Sequence, residues 1–252
     1  VWDDTRTGLA EIYGLRIHGD GTIAAGWNVN GNLLCDAPSH QLDPWPVPDG
    51  AGGAYVAFLD FRSAPPIPDP IDYMDLYVTR VTASGALAPG WPAGGVAVST
   101  KFGPQALHRA CSAGGGELFV AWTEVREAVS RISRVTASGT IPPLWGQGKG
   151  FAYPSGAQYL EGLVADDVGG AYLVWSNISA QREIYAQRVS PDGDPVVGWS
   201  TDGLPMVGQP GAQQLDSPAV GSDGVGGAIV VWEDYRPHFI GLYAQRLGGG
   251  GP

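Results

Sequence analysis

The sequence predicts an all-β chain that forms one five-bladed β-propeller, or five blades of a longer propeller array. Each blade is expected to hold about four antiparallel strands. One unit occurs five times: a glycine-rich turn, an apolar strand ending in an aromatic residue, a loop, and a strand that carries an arginine. The units recur at roughly 50 to 65 residues, a spacing typical of propeller blades. No stretch of useful length shows the period of a helix.

The aromatic residue that ends each apolar strand fixes the alignment of the five units. These anchor residues are Trp2, Phe58, Trp122, Trp175 and Trp232. In the fifth unit we expect the innermost strand at 217–221, the second at 227–232 and the third at 242–247. In the fourth unit we expect the outermost strand within 199–207. We assign 1–247 to a single propeller domain and 248–252 to a glycine-rich tail or linker.

The composition narrows the range of partners. The chain has 252 residues, 39 Gly and 21 Pro, and a formal net charge of −11. So negative a surface repels phosphate backbones, and we expect no nucleic-acid partner. The sequence has no run of about 18 apolar residues, so no membrane insertion is expected. It also lacks an initiator Met and a signal peptide, which suggests a mature product or part of a longer chain.

The two ends of the chain predict unpaired sheet edges. The alignment starts inside a second strand at Trp2 and stops after a third strand at Leu247. Open edges invite pairing with another chain. We therefore expect the partners to be copies of the same chain, joined head to tail, or neighbouring repeat domains. Such contacts would build an extended fibre.

Charged residues recur at two positions of the unit. An acid lies two residues after the anchor aromatic in four units, at Asp4, Asp60, Glu124 and Asp234. The third strand carries an arginine in every unit, at Arg16, Arg80, Arg134, Arg188 and Arg246. We expect these acids and arginines to form structural ion pairs across the strand ladder. Their near-uniformity argues against a catalytic role, which would need one unusual blade.

No catalytic, metal-binding or cofactor motif stands out. The four histidines fall at different positions of the repeat, so no metal-ligand spacing or catalytic triad is evident. We therefore expect no catalytic residue, no metal and no cofactor. The paired carboxylates of a glycosidase need not be close in sequence, so glycoside cleavage stays open as a third possibility.

Several residues are candidates for binding. A tryptophan follows each third strand at an equivalent position, at Trp27, Trp91, Trp145 and Trp199. Indole faces stack well on sugar rings, although packing between blades would explain such a ladder equally. Trp45, in the proline-rich segment 40–48, is a further candidate, and an insertion at 63–73 projects from the second blade. Asn177 begins an Asn-Ile-Ser glycosylation acceptor.

The repeat resembles those of large secreted or surface proteins of bacteria that are generally taken to be β-propeller modules. The resemblance is carried by Gly226-Gly227, Trp232, Asp234, Arg236, Tyr243, Gln245 and Arg246, with their counterparts in the second and fourth units. It implies an extracellular or cell-surface location. From these features we expect a non-enzymatic structural or interaction module, such as a fibre subunit. The alternatives are a carbohydrate-binding propeller and, third, a glycosidase or lyase.

Overall fold

The computed structural model describes residues 1–67, 70–151, 156–178, 182–206, 218–234 and 240–248. They form five antiparallel sheets, which confirms the predicted five-bladed propeller. Blades I to V are numbered in chain order, and strands within each sheet also follow chain order. Within the described ranges, the helical content is one 3₁₀ turn at Ile71–Tyr73, and no helix is long and apolar enough to cross a membrane. Residues 249–252 of the expected tail lie outside the described residues.

The strands of the five blades have the following bounds. Blade I contains β1 (Trp2–Asp4), β2 (Glu11–Gly14) and β3 (Asn32–Leu33). Blade II contains β4 (Gln41–Pro48), β5 (Ala54–Asp60), β6 (Asp75–Val81) and β7 (Val96–Ser99). Blade III contains β8 (Gln105–Gly114), β9 (Glu117–Glu124), β10 (Val129–Val135) and β11 (Lys149–Phe151). Blade IV contains β12 (Ala157–Ala165), β13 (Ala171–Ile178), β14 (Arg182–Val189) and β15 (Leu204–Pro205). Blade V contains β16 (Ala219–Ser222), β17 (Ala228–Asp234) and β18 (Gly241–Leu247).

The outermost strands are shorter than the sequence suggests. In blade IV the described part of the expected segment 199–207, which ends at residue 206, contains one strand, the two-residue β15. Trp199 instead ends a turn, in which its main-chain N–H donates to the Val196 carbonyl oxygen over 2.9 Å. The glycine-tryptophan segments therefore belong to the turns between third and outermost strands.

The hydrophobic core lies between the blades. The second strands of blades II, III and IV are almost entirely buried, and the side chains of Phe58, Trp122 and Trp175 have no exposed surface. Separate apolar clusters join blade I to II, II to III, III to IV and IV to V. Because neighbouring blades cover both faces of these sheets, the sequences of their second strands are continuous apolar runs.

The glycine-rich turn before each second strand has a repeated geometry. In blade II, Asp49 Oδ1 accepts main-chain N–H groups from Ala51 and Gly53, both over 2.8 Å. Asp166 and Asp223 form the same Asx-type turn in blades IV and V. A Cβ atom on Gly53 would lie 2.1 Å from the Val81 carbonyl oxygen, so only glycine fits there.

The third-strand arginines pair with the acid of this turn, which corrects the pairing expected from the sequence. Arg80 and Arg188 each donate two hydrogen bonds to one carboxylate oxygen, of Asp49 and Asp166 respectively. The corresponding pairs in blades III and V are Arg134 with Glu117 and Arg246 with Asp223. Arg16 donates instead to the carbonyl oxygens of Gly52 and Ala83.

The acids after the anchor aromatics lie at the opposite end of the second strand, out of reach of those arginines. Asp4 and Asp60 pair with the arginine two residues later, Arg6 and Arg62. Glu124 accepts from the Gln105 side chain over 2.8 Å and lies 3.8 Å from the Arg131 guanidinium. Asp234 is buried at the end of β17. In an antiparallel hairpin the end of the third strand lies beside the start of the second strand. The arginines near the end of the third strand are therefore a full strand length away from the acids at the end of the second strand.

Candidate functional site

The tryptophan ladder packs between blades, which corrects its assignment as a sugar-binding surface. Trp91, Trp145 and Trp199 are only 3 to 6% exposed. Trp91 contacts Tyr55, and Trp199 contacts Tyr172, with ring centroids 5.7 and 5.8 Å apart. A buried indole offers no free face to a sugar ring. Trp27 is half-buried and lines a pocket of about 440 Å³ between blades I and II.

The ladder also forms hydrogen bonds from one blade to the next. Trp91 Nε1 donates to the Ala137 carbonyl oxygen over 3.1 Å, and Arg80 donates to the same oxygen over 2.9 Å. In blade I, Trp27 Nε1 donates to the Ala83 carbonyl oxygen over 2.9 Å. These bonds fasten blade I to blade II and blade II to blade III.

Asn177 is an unsuitable glycosylation site in the folded chain. Its side chain is completely buried in β13, in register with Gln158 of the neighbouring strand. An attached glycan needs a solvent-exposed asparagine. The acceptor motif is therefore better explained as part of a buried strand.

Three innermost strands are bulged at the same level. In β4 the ladder shifts between Leu42 and Trp45, and in β8 between Ala106 and Arg109. In β12 it shifts between Leu160 and Gly162. Each bulge lies beside the anchor aromatic of its own second strand. Bulges redirect side chains and are over-represented beside active sites.

The bulges of blades II and III contain strained backbone. Asp43 has a φ of 54° and Leu107 a φ of 52°, in the left-handed region. Asp tolerates this conformation moderately, whereas it is an outlier for Leu. Strained residues that persist in a folded protein cluster at functional sites. The side chains at these two bulges, Asp43 and His108, are therefore candidates for a functional site.

The two bulges bring a carboxylate to a buried histidine. His108 Nδ1 lies 3.8 Å from Asp43 Oδ2; the histidine side chain is 1% exposed and that of Asp43 is 67% exposed. Burial lowers the pKa of His108, and the Asp43 carboxylate partly opposes this shift. Neither ring nitrogen of His108 has a hydrogen-bond partner among the described residues. A neutral imidazole thus lies behind an accessible carboxylate.

An accessible indole lies beside this pair. Trp45 is 39% exposed, and the Arg109 guanidinium carbon lies 4.7 Å from the centroid of its ring. Arg109 also donates to the His108 carbonyl oxygen over 2.9 Å. Of the five tryptophans proposed as ligand contacts from sequence, Trp45 is the most exposed.

The third bulge supplies a second carboxylate. Glu161 is the extra residue of the β12 bulge. Its Oε1 accepts from Ser176 Oγ over 2.6 Å and from Arg182 over 3.2 Å. Its side chain is 6% exposed, so these partners fix its position. Asp43, His108 and Glu161 thus come from equivalent points of consecutive blades, and we define them with Trp45 and Arg109 as the inner-strand site.

Sequence reasoning missed the carboxylates and histidine of this site. Repeat analysis emphasised what the blades share, whereas these residues differ from blade to blade. The signal was a change of residue type at a similar distance before each anchor aromatic. Within the described ranges, no group of three or more His, Cys, Asp or Glu could hold a metal ion.

Comparison with known proteins shows likeness of fold. No protein-family model matches the chain, and no curated protein matches it. An endo-arabinase from Bacteroides thetaiotaomicron matches with 16% identity over 83% of this chain and 76% of that chain, with a TM-score of 0.41. A thermostable family-43 glycoside hydrolase matches with 12% identity over 86% and 77% of the two chains, with a TM-score of 0.42. A protein of unknown function from Dyadobacter fermentans matches with 13% identity over 98% and 70%, with a TM-score of 0.54.

These neighbours overturn the expectation that the chain is not an enzyme. That expectation came from uniform blades and a missing catalytic motif, yet glycoside hydrolases are among the structural neighbours. The comparisons give no support to the fibre subunit, and no family model confirms the resemblance to bacterial surface repeats. At these identities the likeness concerns the fold alone, so any activity has to be argued from the site.

Proposed function

We propose that this propeller binds a carbohydrate chain at the inner-strand site and hydrolyses a glycosidic bond there. The observation that carries the proposal is the Asp43–Trp45 bulge, which presents an exposed carboxylate two residues from an exposed indole. Indole faces stack on the apolar faces of sugar rings, while carboxylates accept hydrogen bonds from sugar hydroxyls. The left-handed backbone of this bulge costs conformational energy, and such strain is typical of functional sites.

Hydrolysis requires two carboxyl groups. Asp43 and Glu161 occupy equivalent bulges on β4 and β12, on either side of blade III. In glycoside hydrolysis one carboxyl group protonates the leaving oxygen, and the other acts at the anomeric carbon directly or through water. Water supplies the hydroxyl group of the new reducing end. His108 Nδ1 lies 3.8 Å from Asp43 Oδ2, next to the proposed catalytic carboxylate.

The proposal is tested with soluble polysaccharides of different linkage, by measuring the release of reducing ends. We expect cleavage by the wild-type chain and a loss of at least about a hundredfold in rate for Asp43→Asn and Glu161→Gln. Asp202→Asn, at an exposed acid in a turn of blade IV, is the matched control and should retain activity. Trp45→Ala should weaken binding, because it removes the stacking surface.

Two results would contradict the proposal in different ways. If no polysaccharide is bound, both the site and its chemistry are wrong. If a polysaccharide is bound but reducing ends do not increase, the hydrolytic step is wrong, while Trp45→Ala still reports on the binding site. The extracellular location and the head-to-tail partners stay predictions.

A further inference from the structure

The two segments that depart from the repeat meet and form a pocket of about 440 Å³ in blade II. One wall comes from the chain that enters β4 and the other from the insertion between β5 and β6. The lining residues used below are His40, Leu42, Phe61, Pro70, Ile71 and Met74. Pockets for small molecules have volumes of about 300 to 1,000 Å³. This pocket therefore suits a small ligand.

The insertion wall is fastened to blade III. The Asp72 carboxylate accepts two hydrogen bonds from the Arg126 guanidinium, one of them over 2.9 Å from Nε. Main-chain N–H groups of Gly103 and Gln105 donate to the carbonyl oxygens of Asp72 and Met74, over 2.9 and 3.1 Å. The described part of this wall is therefore held in place without a ligand. Binding to a preformed pocket does not require the free energy that ordering a flexible loop would cost.

The opposite wall provides one defined hydrogen-bond donor. The main-chain N–H of Ala10 donates to His40 Nδ1 over 3.0 Å. Nδ1 therefore carries a lone pair, and the ring proton lies on Nε2. His40 lines the pocket together with Ser39, so polar donors border its apolar walls.

We propose that this pocket binds an uncharged aromatic compound that carries a hydrogen-bond acceptor, such as an aryl ketone. Phe61 and Pro70 offer ring surfaces, and the Met74 thioether makes favourable contacts with aromatic rings. No Asp, Glu, Lys or Arg lines the pocket in the part of the chain that the structure describes. A charged ligand would therefore lose hydration without gaining an ion pair. This site uses none of the residues of the inner-strand site.

The test uses the two methionines of the chain as reporters. Met74 lines the pocket, whereas Met206 is buried between blades IV and V. In protein labelled with [¹³C-methyl]methionine, titration with acetophenone should shift the Met74 resonance and leave that of Met206 in place. The Met206→Leu variant assigns the two signals. Ethylbenzene, which lacks the acceptor, and benzoate, which is charged, should each bind at least fivefold more weakly.

A pair of variants in the insertion locates the site. Ile71 lines the pocket and is 50% exposed, whereas Ile67 is 46% exposed and does not line it. Because both side chains are exposed, neither substitution should disturb folding. Ile71→Glu should weaken acetophenone binding at least tenfold, and Ile67→Glu should leave it unchanged.

Three results would overturn the proposal. These are a Met74 resonance that does not move, equal shifts of both methionines, and equal binding by the Ile71→Glu and Ile67→Glu variants. Each can be read whatever the outcome of the polysaccharide assay, because Trp45 and Asp43 are unchanged in these experiments.

Discussion

Trp91 donates its indole N–H to the main-chain carbonyl oxygen of Ala137 in the following blade, over 3.1 Å. The Arg80 guanidinium donates to the same oxygen and also to Asp49 of its own blade. The Ala137 carbonyl oxygen therefore accepts hydrogen bonds from both residue types that recur in the repeat, the tryptophan and the arginine. Since an amide carbonyl has two lone pairs, it satisfies both donors, and the pair fastens blade II to blade III.

Removing the Trp91 side chain should destabilise the fold. Trp91→Ala should lower the free energy of unfolding by about 3 to 5 kcal/mol, because it leaves a cavity in the core. Trp91→Phe should cost less, since most of the apolar surface is retained. Trp45→Ala is the comparison, with an expected cost below about 1.5 kcal/mol at an exposed position. Urea unfolding measures all three, and equal costs for Trp91→Ala and Trp45→Ala would contradict this assignment.

The equivalent ion pairs of blades IV and V should contribute differently to the free energy of unfolding. The Arg188 and Asp166 side chains are 14% and 2% exposed, whereas those of Arg246 and Asp223 are 62% and 4% exposed, so the two pairs differ in the exposure of the arginine. Arg188→Ala leaves a buried carboxylate without its main cation and should cost about 2 to 4 kcal/mol. Arg246→Ala should cost less than Arg188→Ala, since the exposed Arg246 guanidinium forms a pair that water screens. Thermal unfolding compares the two, and a larger loss for Arg246→Ala would refute the ranking.

His108 should make the stability depend on pH. Burial is the main cause that lowers its pKa in the folded chain, and the nearby Arg109 adds to it, while the Asp43 carboxylate opposes the shift. Below the unfolded-state pKa of about 6.5, the unfolded chain therefore binds more protons. This contribution is fully present above pH 6.5 and is lost as pH falls through the folded pKa. The slope is at most about 1.4 kcal/mol per pH unit.

The difference between wild type and His108→Leu isolates this effect from other titrating groups. We expect the wild type to lose stability faster than the variant between pH 6.5 and more acidic values. Chemical unfolding at a series of pH values gives both slopes. Parallel pH profiles would show that His108 titrates alike in the folded and unfolded chains.

Cys35 should react slowly in the native chain. Burial raises the pKa of its thiol to about 12, with a further contribution from the Asp60 carboxylate. Only the thiolate attacks a disulfide reagent. In a Cys111→Ala background, modification by an aromatic disulfide should be at least about a hundredfold slower in native than in denatured protein. Comparable rates would indicate that blades I and II separate readily.

The repeat pattern predicted the blade architecture, but the tryptophans that it made most conspicuous are buried between blades. Trp91, Trp145 and Trp199 were conspicuous because they recur, and they recur because every blade packs against the next. Asp43, His108 and Glu161 were inconspicuous because their residue types change between blades. Trp45, a candidate ligand contact because of the prolines around it, is 39% exposed, and its role in binding stays a prediction.

The ion pairs show a second limit. The sequence identified the arginines of the third strands, but it assigned their partners to the wrong end of the ladder. Which acid lies opposite Arg80 depends on strand register, and register follows from the turn at Asp49 and the packing of both faces. Spacing along the chain does not contain that information.

The sequence by itself determined the all-β class, the five units and the turns that require glycine, because these depend on local period and backbone conformation. Only the tertiary structure decided which residues share a site. The Asp43–His108 pair joins residues from blades II and III, and the pocket beside His40 joins two loops that are separate in sequence. Those juxtapositions arise because consecutive blades pack face to face, which brings equivalent points of distant segments together.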